Sequence, residues 1–173
     1  MPTGELVAGG NFTSAGGIGA ARVASWNGTT WSALGAGTDN SVRTLRVRPN
    51  GDLIAGGLFS FAGAASANFI ARWNGSTWSP LGVGTNSWVY ALENLPNGDL
   101  VAGGFFTTAG GLVADRVARW DGVGWSPFAG GTSSSIHALA VLPNGDLVAG
   151  GAFTVAGGVA ASRIARRVNW GEK

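Results

Sequence analysis

The side chains that could carry out chemistry are few in this sequence. His137 is the only histidine among 173 residues, and cysteine is absent. A serine–histidine–aspartate arrangement would have to combine His137 with the serines at 133 to 135, and a zinc site needs more histidine or cysteine ligands than one chain supplies. The sequence contains an internal repeat, and the residues equivalent to His137 in two other copies are Arg43 and Tyr90. We therefore predict no catalytic residue and no metal site.

The carboxylates and glycines are spaced for structure rather than for catalysis. One acidic position recurs along the chain, at Glu5, Asp52, Asp99 and Asp146. It follows a turn, so we expect these carboxylates to bind turn amides, with a calcium role as the minor alternative. The Gly-x-Gly pairs at 35–37 and 82–84 lack the third glycine and following helix of a dinucleotide site. We expect no cofactor, and we expect that the protein is not an enzyme.

The composition and the distribution of charge limit the classes of partner that this chain can bind. The chain is 45% hydrophobic and 12% charged, with 11 basic and 9 acidic residues and a net charge of +2. Its arginines, such as Arg72, Arg119 and Arg166, are spread at repeat spacing, whereas nucleic-acid binding needs a concentrated basic face. No apolar run approaches the roughly 20 residues of a membrane span, and no signal peptide is visible. These features argue against nucleic acid and a membrane span, and they leave the compartment open.

An internal repeat organises the whole chain. The segment Gly-Glu-Leu-Val-Ala-Gly-Gly at residues 4–10 recurs at 51–57, 98–104 and 145–151, so each step is 47 residues. Two tryptophan positions recur at the same step, at Trp26, Trp73 and Trp120 and at Trp31, Trp78 and Trp125. An unbroken period means one architecture. We predict one domain over residues 1–173, with repeats at about 1–41, 42–88, 89–135 and 136–173.

Each full repeat contains the signals of four strands. In the third repeat the predicted strands are residues 89–95, 99–104, 116–120 and 125–128. Asn97-Gly98 predicts a type I′ turn between the first two, and Asp121-Gly122 marks a second tight turn. A long loop over residues 105–115 joins the second and third strands, and residues 129–135 cross to the next repeat. The chain begins at a second strand and ends near a third, which gives sheets of three, four, four and three strands.

Four antiparallel strands in 47 residues match the size of one β-propeller blade. The glycine doublet followed by an aromatic-bearing strand resembles the kelch-type repeat of the β-propeller families. That resemblance covers essentially the whole chain, and it implies the fold and binding through loops but no catalytic residue. We therefore expect an all-β fold of four-stranded antiparallel propeller blades, about 3.5 blades per chain.

An incomplete blade set raises the question of how the ends are covered. A lone open array leaves exposed edges and apolar end faces, which promote aggregation. Three arrangements answer this: a ring built with another copy, a compact four-bladed ring, or a piece of a longer propeller. We favour assembly with another copy, since few propellers have as few as four blades.

Candidate binding residues lie where the loops differ between repeats. Both tight turns of an antiparallel blade lie at one end, and the long loop and the crossing lie at the other, which we take as the candidate surface. Trp88 stands where other repeats have serine, and Arg43, Tyr90 and His137 are a diverse set of equivalents. The candidate partner-binding residues are Trp88, Tyr90, His137, Arg43, Asp39 and Asn86. The alternative is that these are exposed loop positions whose residue type varies freely and has no role in binding.

Two functions remain open on this sequence. The first is a non-enzymatic module for protein–protein interaction or self-assembly through the long-loop face, with a second copy or another protein as partner. The alternative is a lectin-like or small-ligand module, in which Trp88 and Tyr90 stack on a carbohydrate.

Overall fold

The computed structural model describes residues 4–167, and its regular secondary structure there consists of β-strands. Every repeat contributes short antiparallel strands joined by turns. The first repeat contains β1 (Leu6–Gly9), β2 (Ser14–Ala15), β3 (Ile18–Gly19), β4 (Val23–Trp26) and β5 (Trp31–Ala33). The second contains β6 (Val42–Val47), β7 (Leu53–Gly57), β8 (Phe61–Ala62), β9 (Ala65–Ser66), β10 (Ile70–Trp73) and β11 (Trp78–Pro80). Over residues 4–167 we find no helix with the length and apolarity needed to cross a membrane.

The other two repeats follow the same order. The third contains β12 (Val89–Asn94), β13 (Leu100–Gly104), β14 (Thr108–Ala109), β15 (Leu112–Val113), β16 (Val117–Trp120) and β17 (Trp125–Pro127). The fourth contains β18 (Ile136–Val141), β19 (Leu147–Gly151), β20 (Val155–Ala156), β21 (Val159–Ala160) and β22 (Ile164–Arg167).

The main sheets have three, four, four and three strands within the described residues, as the repeat predicts. Their orders are β1-β4-β5, β11-β10-β7-β6, β12-β13-β16-β17 and β18-β19-β22, and every pairing is antiparallel. The long loop of each repeat also folds into a two-strand hairpin, for example β14 with β15. The sequence predicts a loop for that segment, because two-residue strands around Gly110 and Gly111 are too short to show alternation.

The turn between the first and second strands differs from the predicted type I′. In the third repeat Gly98 N–H donates to the Leu95 carbonyl, and Leu95 N–H donates to the Asp99 carbonyl. Gly98 has φ of 90°, while Asn97 keeps negative φ. The turn therefore spans residues 95–98, and its fourth residue is the left-handed glycine. Pro96 explains this. In the predicted turn it would be the first of four residues and would have to donate an N–H that proline lacks. In the observed turn it is the second residue, where its fixed φ near −65° is favoured.

The recurring acidic position joins the first turn to the third strand. Asp52 Oδ2 accepts a hydrogen bond from Asn50 Nδ2 at 2.7 Å and pairs with Arg72 Nε at 2.7 Å. The same two partners are found at Asp99, which accepts from Asn97 and pairs with Arg119, and at Asp146, which accepts from Asn144 and pairs with Arg166. The recurring carboxylate therefore binds an asparagine of the turn and an arginine of the third strand, which gives it a structural role. Binding to turn amides stays a prediction.

The chain divides into two compact units, residues 1–84 and 85–173, each holding two repeats. In the first unit, Val23 and Leu34 of the first repeat pack with Leu53, Trp73 and Trp78 of the second. In the second unit, Val101 and Val117 of the third repeat pack with Ile136, Leu147 and Phe153 of the fourth. Each core is thus built between successive blades, and the same repeat positions supply it.

Every blade has two different faces. We call the face toward the following repeat the forward face; it carries Val7 in the first blade and Val101 in the third. The opposite, backward face carries Leu53 in the second blade and Leu147 in the fourth. A glycine on the forward face lets the next blade come close. A Cβ built on Gly103 would lie 2.7 Å from Ile136 Cγ2 and 3.1 Å from Ile136 Cβ.

This close approach predicts opposite results for two equivalent glycines. We expect Gly103→Ala to lower the free energy of unfolding by about 1–3 kcal/mol, because the methyl group overpacks against a branched side chain. Gly150→Ala should lose nothing and gain up to about 1 kcal/mol, since a Cβ there has no neighbour within 4 Å and glycine weakens a strand. Urea denaturation in dilute solution measures both. Equal losses at the two positions would contradict the packing described here.

Candidate functional site

The crossings and long loops meet at the same end of the blades, as predicted. Thr85, in the crossing that leads into the third repeat, forms a β-bridge with Ala109 of the following hairpin. Thr132 bridges Ala156 in the same way in the fourth repeat, and Thr38 bridges Ala62 in the second. The candidate surface is therefore held by backbone pairing rather than by free loops.

Asp39 and Asn86 have a structural role where each crossing meets the hairpin of the following long loop. Asn86 Oδ1 accepts hydrogen bonds from the N–H groups of Thr107 and Thr108 at 2.9 and 3.0 Å. Asp39 Oδ1 accepts from the N–H groups of Ser60 and Phe61, both at 2.9 Å. In the crossing that leads into the fourth repeat, Ser133 Oγ takes the same two-amide position. Three residue types thus perform one task, so their variation between repeats follows from shared hydrogen-bonding capacity, and a role in partner binding stays a prediction.

Arg43, Tyr90 and His137 each stand at a β-bulge. The register between the first and second strands shifts between Val42 and Thr44, between Val89 and Ala91, and between Ile136 and Ala138. The residue in the middle is the extra one, so it has no partner residue in the ladder register. Bulges re-aim side chains at sheet ends, which explains why three chemically different residues fit this position.

The second unit brings four rings together in what we call the aromatic surface: Trp88, Tyr90, Phe105 and His137. The ring centroids of Trp88 and Phe105 are 6.1 Å apart, and those of Trp88 and Tyr90 are 6.2 Å apart. Tyr90 and His137 meet edge to face at 5.4 Å. Trp88 precedes β12, Phe105 follows β13, and the antiparallel pairing of these strands places both at one end of the blade.

The aromatic surface is open to solvent and is ordered by ring contacts and one polar contact. Trp88 is 41% exposed and Phe105 is 51% exposed, while Tyr90 is half-buried. Ser135 Oγ lies 2.8 Å from His137 Nε2, which fixes the plane of the imidazole. Exposed aromatic faces with a polar rim suit the binding of an apolar side chain or the stacking of a sugar ring.

Sequence reasoning found three of the four rings and missed Phe105. Its repeat equivalents are Asn11, Leu58 and Ala152, so the criterion that singled out Trp88, an aromatic where other repeats have none, also identifies Phe105. Arg43 and Asp39 belong to the first unit, where Arg43 is exposed at its bulge. No group of three acidic or histidine side chains that could hold a metal ion is found over residues 4–167.

The hydrogen bonds of the crossing predict that different substitutions of Asn86 lower the stability of the protein by different amounts. We expect Asn86→Ala to lower the free energy of unfolding by about 1–2 kcal/mol, because two backbone N–H groups lose their acceptor. Asn86→Ser and Asn86→Asp should retain most of the stability, since Ser133 and Asp39 provide the same acceptor elsewhere. Thermal or urea unfolding of the three variants checks this, and an alanine variant as stable as the serine variant would contradict it.

Comparison with known proteins agrees with this architecture. A family model described as a domain of unknown function (DUF5122) β-propeller matches residues 142–166, which include β19 to β21 and most of β22. The crystal structure of the WD40 β-propeller domain of Doa1 is similar with a TM-score of 0.51 and 20% sequence identity. The match covers 83% of this chain and 42% of that one, so the chain spans less than half the length of that structure.

A comparison with curated proteins found no match. The family model and this solved structure are each described as a β-propeller, and they agree with the antiparallel blades observed here. The narrower resemblance to kelch repeats stays a prediction. The fold of this chain is an all-β propeller fold, in four-stranded blades that are complete in the two central repeats.

Proposed function

We propose that this chain is a non-catalytic β-propeller module whose function is protein association, and that its end blades associate head to tail with a second copy. The observation that carries the proposal is the exposure of side chains whose repeat equivalents are core residues. Leu6 is 61% exposed, whereas its equivalent Leu53 is 1% exposed. Ile164 is 64% exposed, whereas its equivalent Val117 is 3% exposed.

These two exposed positions belong to complementary faces. Leu6 is on the backward face of the first blade, and Ile164 is on the forward face of the fourth. In the first unit, Leu53 of a backward face packs in one cluster with Val7 and Val23 of a forward face. A second copy would repeat that contact, with its Leu6 against Val148 and Ile164. Large apolar side chains left exposed on a repeat array favour such burial.

The absence of catalysis is part of the same proposal. The recurring carboxylates Asp52, Asp99 and Asp146 each bind an arginine and an asparagine of their own blade. His137, the only histidine, lies in an aromatic contact with Tyr90 and is held by Ser135. These groups have structural partners, which supports a binding role rather than acid–base chemistry.

Light scattering after size exclusion tests the association directly. We expect the wild type to elute with a mass that is two or more times the 17.4 kDa of one chain. Gly150→Glu places a charge on the forward face, where a Cβ meets nothing within 4 Å, and Leu6→Glu places one on the backward face. Each variant should be monomeric and should melt as the wild type does when it is diluted until it dissociates, because binding of a folded partner stabilises only the associated form. Val123→Glu, a control at a residue that is 90% exposed, should behave as wild type. A wild-type mass of 17.4 kDa at high concentration would refute the proposal.

Mixing the two face variants separates head-to-tail packing from symmetric packing. In a mixture, the intact forward face of Leu6→Glu meets the intact backward face of Gly150→Glu. We expect a two-chain species in the mixture only. A symmetric contact uses the same face on both copies, so it gives no heterodimer of this kind.

A second candidate function rests on the aromatic surface. Exposed tilted rings beside hydroxyl and imidazole groups suit a lectin-like site that stacks a sugar ring. If this is the function, a glycan array shows bound sugars for the wild type and a loss of at least about tenfold in signal for Trp88→Ala and for Phe105→Ala. Val123→Ala, on a turn elsewhere in the same repeat, is the matched control. A blank array for the wild type excludes the lectin-like function.

A further inference from the structure

The dipeptide Asn-Gly occurs at five turns of this chain, and the structure divides these turns into two kinds. In three of them it lies between the first and second strands of a repeat, and in two it lies between the third and fourth. The first-turn asparagines are Asn50, Asn97 and Asn144, and the second-turn asparagines are Asn27 and Asn74. All five asparagines are exposed, so what distinguishes them is their hydrogen bonding.

An asparagine followed by glycine can modify itself. The backbone nitrogen of the glycine attacks the side-chain carbonyl carbon of the asparagine, because a residue without Cβ leaves this approach open. The N–H proton passes to the side-chain amide nitrogen, the carbon–nitrogen bond of that amide breaks, and ammonia leaves a cyclic imide. Water then opens the imide at one of its two carbonyl carbons, which gives aspartate or isoaspartate. The reaction needs an available glycine N–H and donors that stabilise the charge developing on Oδ1.

The first turn provides neither of these requirements in full. Gly98 N–H donates to the Leu95 carbonyl at 2.9 Å, so the attacking nitrogen is engaged in the turn. Asn97 Nδ2 donates to Asp99 Oδ2 at 2.8 Å, which holds the amide that would have to leave. The carboxylate beside it also disfavours negative charge on the reacting side chain. The same contacts are found in the second and fourth repeats.

The second turn provides both requirements. Asn74 Oδ1 accepts hydrogen bonds from the backbone N–H groups of Ser76 and Thr77, both at 2.9 Å. Two N–H groups directed at one oxygen are the arrangement that stabilises an oxyanion. Over residues 4–167 no hydrogen bond is donated by Gly75 N–H. Its nitrogen is therefore available for attack on the neighbouring side chain.

The second turn of the first repeat has one donor more. Asn27 Oδ1 accepts from the N–H groups of Thr29 and Thr30, both at 2.9 Å, and from the Thr29 hydroxyl at 2.9 Å. Asn27 Nδ2 donates to the neutral Thr30 hydroxyl at 3.2 Å, where the first turns have a carboxylate. Gly28 N–H, like its equivalent in the second repeat, donates no hydrogen bond within the described part of the chain.

The third repeat shows that the product fits this turn. Asp121 takes the place of the asparagine, and its Oδ1 accepts from the N–H groups of Val123 and Gly124 at 2.8 and 2.9 Å. The hydrogen bond from Gly124, and next that from Val123, lowers the pKa of the Asp121 carboxyl, so the turn stabilises the charged form. The following glycine has φ of 104°, and the glycines of the other two second turns have φ of 101° and 99°. One turn geometry therefore holds both the asparagine and its product.

We propose that Asn27 and Asn74 are modification sites, at which the folded chain converts its own asparagine side chain to a carboxylate, while the first-turn asparagines are protected. The turn supplies the nucleophile and the oxyanion donors, and water is the other reactant. Two new carboxylates beside the 9 acidic residues would equal the 11 basic ones, so the formal net charge would fall from +2 to zero. A net charge near zero promotes association. The modification itself does not depend on the association proposed above.

Mass spectrometry of peptides from the full chain, after incubation at mildly alkaline pH, measures all five turns at once. Each conversion raises the peptide mass by about 1 Da, because a hydroxyl group replaces an NH₂ group. In the folded chain, Asn27 and Asn74 should react at least about tenfold faster than the first-turn asparagines, whose hydrogen bonds must break first. In guanidinium chloride the five rates should converge. Equal rates in the folded chain, or slower reaction of Asn27 and Asn74 when folded than when unfolded, would overturn the proposal.

Removal of one hydroxyl tests whether the turn assists the reaction. Thr29→Val keeps the shape of the side chain and removes a donor to Asn27 Oδ1, so the rate at Asn27 should fall at least about threefold. Thr77→Val is the matched control, because the Thr77 hydroxyl lies 3.4 Å from Asn74 Oδ1, and the rate at Asn74 should stay as in the wild type. An unchanged rate at Asn27 in the folded Thr29→Val chain would overturn the role assigned to the turn.

Variants that carry the product test how each kind of turn accommodates it. Asn74→Asp should unfold in urea as the wild type does, since Asp121 makes the same contacts in the third repeat. Asn97→Asp should unfold at a lower urea concentration, because a carboxylate oxygen replaces the amide nitrogen that lies 2.8 Å from Asp99 Oδ2. Destabilisation by Asn74→Asp as large as that by Asn97→Asp would contradict a second turn that is built to hold the product.

Discussion

The packing of one blade onto the glycine of the blade before it is the contact on which this structure depends. A Cβ on Gly9 would lie 2.6 Å from Val42, and one on Gly103 would lie 2.7 Å from Ile136. Only a residue without a side chain lets the next first strand come this close. The approach brings leucine side chains of one blade, and in the first unit also tryptophans, within reach of valines on the previous blade. Each core is therefore a property of two repeats and not of one. An isolated blade has no core of its own. The apolar faces of the blades at the ends of an array are likewise stabilised only when another surface buries them.

Much of this architecture could be predicted from the sequence because the constraint is periodic. The 47-residue step, the strand inventory of each sheet and the meeting of crossings with long loops follow from alternation, turn signals and antiparallel connectivity. The errors were local. The turn around Asn97-Gly98 depends on Pro96, which fixes one dihedral angle and outweighs the dipeptide preference. The hairpins within the long loops involve two-residue strands, and such short strands leave no periodic signal.

The candidate site could be predicted only in part, because residues that vary between repeats can either share one structural role or have different roles. Asp39 and Asn86 differ because an aspartate oxygen and an amide oxygen serve equally as acceptor for two adjacent N–H groups. Sequence variation there looks like functional divergence but reflects one structural task. Trp88 and Phe105 differ from their equivalents without sharing such a task, and ring contacts bring them together. The hydrogen-bond partners that separate the two cases can be seen only in the folded chain.

The same reasoning separates the three bulge residues from the rest of the fold. A residue that pairs within the sheet is constrained by its neighbours across the ladder, and a residue in the core is constrained by volume. Arg43, Tyr90 and His137 escape both constraints, because the register shift leaves each of them outside the ladder register. Their position is therefore the one in the repeat where side-chain chemistry can change at little cost to the blade. In the second unit this position holds Tyr90 and His137, whose rings lie edge to face beside Trp88. The bulge is therefore the feature of the repeated fold that allows one blade to present a surface different from that of the others.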